Sequence, residues 1–288
     1  MRPVIIMSFV AGLALGGPVV VPAAALGATG TPAVQAAPDR LAARQGMLVE
    51  RIAAAACFAS EGIAPGRAMA AMRSAHDAFD AAMDALIAPD PEAAPAALTG
   101  KAGRDAVEAV KAQWVRYRTP VREALEAGAV DHETLARIIA LNPALRAATD
   151  AAAARLARAG GSQVLSALGL AERQRTLSQT IARDACLLAT EAAQETTRAS
   201  LTESVESFDL ALQALAQGMP EAGIAPPEGP ELRRELAATA EAWTRLKPVL
   251  MPLLAGETPG PDALAATAGA TGAMREHLER AVALYAAE

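Results

Sequence analysis

Aromatic residues are scarce in this chain. Of its 288 residues, 2 are Trp, 2 Tyr and 4 Phe, so 3% is aromatic although 52% is hydrophobic. Apolar bulk drawn mainly from Ala and Leu favours close-packed helices. A β-sandwich draws instead on Val, Ile, Thr and aromatic side chains. Cysteine and histidine are nearly absent as well, at 2 and 3 residues, which leaves little for a zinc site. There is no basic excess. Lys and Arg number 26 against 32 Asp and Glu, a net charge of −6 and a pI near 5.3. That balance excludes a general nucleic-acid binder, which needs a basic face to displace counterions from phosphates. Beyond the N-terminus no stretch of about 18 apolar residues runs without a charge, so no later membrane span is expected. Charged residues, at 20%, are too interspersed with apolar ones for a disordered tail.

The N-terminal segment reads as an export signal. Arg2 is the only ionisable side chain before Asp39, and residues 4–15 are apolar over the length of a signal core. Gly16, Gly17 and Pro18 then break any helix. Small residues follow, and Ala25, Ala28 or Ala36 offers a cleavage point. Residues 1–36 are therefore expected to be a signal peptide with a short linker, and the chain to be periplasmic. The alternative is an uncleaved N-terminal anchor.

What is present in abundance is self-similarity. Leu41, Arg44 and Gln45 recur 129 positions on as Leu170, Arg173 and Gln174. The same offset pairs Leu48 with Leu177, Ile52 with Ile181, Cys57 with Cys186, Phe79 and Asp80 with Phe208 and Asp209, and Trp114 with Trp243. It still holds at Arg146 and Arg275. Alanine matches mean little here, but both cysteines and both tryptophans at one spacing mark a tandem duplication. The expected units are residues 37–159 and 163–288.

Each unit reads as four helices: 39–61, 66–88, 103–127 and 132–158, then 163–192, 196–216, 230–254 and 262–286. Pro65 and Gly66 separate the first two, and Pro230 suits a first helical turn. Pro120 and Pro248 fall inside the third helices, which should kink or end early there. The expected fold is all-α, two tandem antiparallel four-helix bundles after a signal peptide.

The first helix of each unit carries the informative chemistry. Positions 41, 45, 48, 52, 55 and 59 step by four and three, the spacing of a buried seam. Gln45 sits on that seam, and Gln174 on its counterpart, each beside an arginine. An unpartnered buried amide costs about 1–3 kcal/mol, so something must satisfy both. One account is a structural contact to a neighbouring helix or to the facing copy. The other is that Arg and Gln line a crevice binding a small polar or anionic ligand, since a guanidinium fork suits nitrate or a carboxylate.

The run Arg173, Gln174, Arg175, Thr176, Leu177, Ser178, Gln179, Thr180, Ile181, Ala182 resembles the first-helix signature of the PilJ-type sensory domain. That domain forms the periplasmic N-terminus of type IV pilus methyl-accepting chemotaxis transducers, and is related to the four-helix module of nitrate/nitrite sensors. Residues 44–53 resemble it too, with Gly46 in place of the middle arginine and Val49 and Glu50 in place of Ser and Gln. The resemblance extends to the second-helix Phe-Asp and the third-helix Trp. It implies a sensory, non-enzymatic module whose ligand contacts are Arg175 first, then Arg173, Gln174, Ser178, Gln179, Arg44 and Gln45. It also implies that first helices pair, between the two copies or in a homodimer, about a symmetric anion site. Gly46 departs from that symmetry.

Other residues carry less. Cys57 and Cys186 read as small buried thiols, and a bridge between them requires the first helices to face each other. His76 with Asp77 and Asp80 has helical metal spacing but reads as a solvated histidine. His132 and His277 have no supporting partners in the pattern. Trp114 and Trp243 read as core anchors. No nucleophile motif or phosphate-cradling glycine loop appears, and no metal or cofactor is expected. Two functions follow: a soluble periplasmic ligand-binding protein acting through a membrane sensor or envelope partner, or a structural or assembly protein whose pocket has decayed.

Overall fold

A computed structural model describes residues 38–87, 98, 100–160, 166–190 and 194–287. The expected signal peptide and its cleavage point lie outside the described residues, as do Pro89, Pro91 and Pro95. Eight α-helices account for nearly all described residues. They are α1 Pro38–Ser60, α2 Pro65–Ile87, α3 Lys101–Ala127 and α4 His132–Gly160, followed by α5 Ala167–Leu187, α6 Gln194–Gln217, α7 Pro230–Leu254 and α8 Pro261–Tyr285. A single 3-10 turn, Pro220–Ala222, precedes α7. Among the described residues there is no strand beyond an isolated bridge between Met219 and Ile224. The fold is all-α.

The sequence sets these boundaries by local means. The Ser166 hydroxyl accepts from the Gly169 N–H at 3.0 Å, so α5 starts at 167 rather than 163. Asp131 caps α4 through the Thr134 N–H at 2.7 Å. Gly128 ends α3 in the left-handed region, at φ 70°, where a side chain would be strained. Of the expected kink or early end at Pro120 and Pro248, the early end does not occur. Both α3 and α7 run on through their prolines. Pro120 is buried, and Val121, Ala124 and Leu125 beyond it are buried too. Burial of that last turn offsets the one hydrogen bond each ring removes.

Helices α1 to α4 pack on one another, as do α5 to α8. Within each set, sequence neighbours and the first and last helices run antiparallel. Arg73 of α2 reaches the Leu125 carbonyl while Asp80 of the same helix meets Trp114 of α3. Val49 and Gly46 of α1 lie against Asn142 and Thr149 of α4, in descending order. In the second set Gln174 and Asp184 of α5 meet Phe208 and Ser200 of α6. Phe79 stacks on Trp114 at 4.0 Å between ring centroids, and Phe208 tilts against Trp243 at 4.5 Å. Each indole donates to the aspartate beside that Phe, Trp114 to Asp80 at 2.6 Å and Trp243 to Asp209 at 2.5 Å. The tryptophans are core anchors in both sets.

One contact joins the two sets along a whole helix, α1 against α5. Glu50 meets Arg183, and further along Cys57 is bonded to Cys186, so the pair runs parallel in ascending register. The cysteines lie 129 residues apart, with Cα atoms 6.1 Å from each other. They are not the separate thiols expected from the sequence. Both helices bury more than one face for this reason. In α1 nearly every side chain from Gln45 to Phe58 is covered, not only the seam positions.

Candidate functional site

Helices α1 and α5, which meet at the junction, carry several fully buried polar groups. In α1, Gln45 is fully buried and neither of its amide atoms has a hydrogen-bond partner among the described residues. Gln174 of α5 is equally buried but donates through Nε2 to the Phe208 carbonyl at 2.8 Å. This glutamine therefore faces its own bundle, not the junction. Ser178 is fully buried and donates to the Arg175 carbonyl at 2.7 Å. Gln179, also buried, donates to the Ser178 hydroxyl at 3.3 Å. Arg44 and Arg173 are exposed on the outer faces of their helices.

Arg175 is the outlier. Only 6% of it is exposed, and its Nε has no hydrogen-bond partner among the described residues. Burial pushes its guanidinium below the ordinary value; the Glu172 and Glu279 charges oppose that shift, and Arg44 and Arg275 add to it. Arg51 of α1 is lowered in the same way, by burial and then by Arg275. Arg275 of α8 is committed to Glu279 at 2.6 Å and Glu276 at 3.2 Å. Arg175 thus lies in a mixed field of Glu172, Glu279, Arg44 and Arg275, and its Nε keeps no partner among the described residues. A guanidinium N–H without a partner is a donor of the kind that planar oxyanions accept from.

The sequence reading missed the other half of the junction. Glu50 of α1, 2% exposed, is gripped by Arg183 of α5 and by the Nε of Arg146 of α4 at 3.4 Å. Arg183 also donates to Asp184 at 2.8 Å and to the Asn142 amide oxygen at 3.3 Å. Ser200 donates to the second Asp184 oxygen at 2.7 Å. Burial raises the Glu50 carboxyl above its ordinary value against the pull of Arg183 and Arg146. Burial raises Asp184 as well. On Arg183 burial works the other way, but Glu50 and Asp184 outweigh it and its pKa rises. A signal existed: Glu50 interrupts an apolar run in α1, and charge inside such a run needs a partner.

The remaining candidates are structural. His76 is buried, not solvated; it lies 3.0 Å from Asp77 and packs on Trp114. His132 begins α4 and is exposed. His277 meets Glu235 at 2.7 Å, with Arg280 on the same carboxylate at 2.9 Å. Among the described residues no cluster of His, Cys, Asp and Glu is arranged for a metal. None of their helices is long and apolar enough to cross a membrane.

Residues 162–268 match the family model described as the type IV pili methyl-accepting chemotaxis transducer N-terminus, PilJ. The matched stretch begins ahead of α5, includes Arg175 and ends within α8. No curated protein and no solved structure matches the chain.

Proposed function

We propose that this chain is a periplasmic, non-enzymatic sensory module built from two tandem copies of a PilJ-type bundle, residues 37–159 and 163–288. It holds a small oxyanion or carboxylate against Arg175 and acts by docking on a membrane sensor or envelope protein. The observation that carries this reading is the buried Arg175 with its unpartnered Nε. Arg44 and Arg275 add positive charge around it, beside the negative charge of Glu172 and Glu279, and the Ser178 hydroxyl donates to its carbonyl on α5. The duplication is supported by the 129-residue step between the bonded cysteines and by two Trp–Asp bonds that each span 34 residues. The pairing of first helices that the nitrate-sensor relationship suggests is here made within one chain. The disulfide suits an oxidising compartment such as the periplasm.

Calorimetry and thermal-shift titration with nitrate, nitrite and small carboxylates test the reading. At least one anion should bind and raise the melting temperature. Arg175→Ala should weaken that binding at least tenfold, about 1.4 kcal/mol. A wild-type chain indifferent to the whole panel overturns it. The second reading, a structural or assembly protein, is favoured by one observation: the Glu50 half of the junction is closed by the chain's own charges. A silent panel with a defined envelope partner would establish that reading.

A further inference from the structure

We infer that Glu50 is a tethered ligand: its carboxylate fills, on one side of the α1–α5 pair, the place that a free anion takes beside Arg175 on the other. The inference rests on the Arg175 reading and specifies its stoichiometry, one anion per chain. The argument starts at Gly46, which stands 129 positions before Arg175. A Cβ built on Gly46 would lie 2.7 Å from the Arg146 guanidinium and 3.4 Å from the Thr149 hydroxyl. Arg146 thus lies over Gly46, and a side chain there would displace the tip of its guanidinium. Arg146 stands 129 positions before Arg275, the arginine that acts on Arg175. The two sides thus carry the same α4 or α8 arginine by position, while Arg183 has no counterpart, the residue 129 positions before it being Ala54.

They differ in what lies between. On the Arg146 side a carboxylate on the first helix is held from two directions, by Arg146 of α4 and Arg183 of α5, out of contact with solvent. Two guanidinium groups from different helices around one buried carboxylate form an oxyanion site that is already occupied. On the Arg175 side the residue matching Glu50 is Gln179, which is neutral. Its amide bonds only to Ser178 among the described residues. A carboxylate held in place by its own helix has an effective molarity far above that of free ligand at millimolar levels. The Glu50 side is therefore filled by the chain itself, whereas on the other side the Arg175 Nε keeps no partner among the described residues.

The full chain and three variants, Glu50→Ala, Glu50→Gln and Gln179→Glu, test this by thermal shift at constant ionic strength. Glu50→Ala should melt lower than wild type, and formate, acetate or nitrate should recover more than half of the loss where chloride does not. Glu50→Gln, whose amide fills the space, should show no anion recovery, whatever its melting temperature. Gln179→Glu should melt at or above the wild-type temperature and lose anion affinity at least tenfold. The inference is overturned by a Glu50→Ala chain as stable as wild type or not recovered by any of the three anions, or by equal recovery of Glu50→Gln. If Glu50→Ala does not fold, a Gln179→Glu chain that melts lower than wild type overturns it. Failure of the Arg175 reading looks different: wild type then ignores every anion, while recovery of Glu50→Ala persists.

Discussion

The two Trp–Asp bonds show how single residues fix a helix in this chain. Each indole is buried in a core with few aromatic neighbours, and its N–H has one acceptor, the aspartate that follows a core phenylalanine. Asp209 also receives Lys247, on the helix that carries Trp243. Asp209→Ala leaves the Trp243 N–H buried without a partner, so it should cost about 1–3 kcal/mol in urea unfolding. A loss under about 0.5 kcal/mol would mean that water reaches the indole. The anchoring role of Trp114 and Trp243 is readable from the sequence, and so is the repeated Phe-Asp pair. The bond between them is not, because it depends on which face of α3 meets α2. Glu50 escapes for the same reason. Its partners Arg146 and Arg183 lie 96 and 133 residues away, and only folding brings them together.

Helix boundaries were legible wherever a cap or a proline marks them. The expected 230–254 is the observed α7, and most other ends agree within about two residues. The largest misses are both ends of α5, expected at 163 and 192 and found at 167 and 187, the start being set by the Ser166 cap. Periodicity failed at α1 in an instructive way. A seam of four and three describes a helix that buries one stripe, but α1 packs on α2, α4 and α5 at once. Leu48, Val49, Ala53 and Ala56 therefore share burial with residues on every side. The α1–α5 contact also explains the disulfide, since parallel in-register helices bring equivalent positions face to face. Closing a loop of 129 residues between Cys57 and Cys186 restricts the unfolded chain strongly. The double variant Cys57→Ala, Cys186→Ala should lose about 2–5 kcal/mol in chemical denaturation. Unchanged stability would show that side-chain packing alone holds the two helices together.

At the scale of the whole molecule, charge placement sets the response to pH, and composition gives no hint of it. Two classes of carboxyl oppose each other. Asp131 is held below its ordinary value by the Thr134 N–H, Asp105 by Lys101, and Glu235 by His277 and Arg280. A group lowered in the folded state contributes stability that is present above its unfolded value, 3.8 for Asp and 4.5 for Glu, and lost as the pH falls through the folded one. Glu50, Asp184 and Glu172 are raised, each chiefly by burial. Their contribution is complete below the unfolded values of 4.5 and 3.8 and declines as the pH rises through the folded ones. The two trends cross near the ordinary carboxyl range, so unfolding free energy should peak at about pH 4–5 and fall toward neutrality. The net charge of −6 at neutral pH adds self-repulsion in the same direction. Glu50→Gln removes one raised carboxyl, so its decline between pH 5 and 8 should be shallower than that of wild type. Urea unfolding at half-unit steps measures both slopes. Parallel slopes would mean that Arg146 and Arg183 hold Glu50 ionised as readily inside the junction as water does in the unfolded chain.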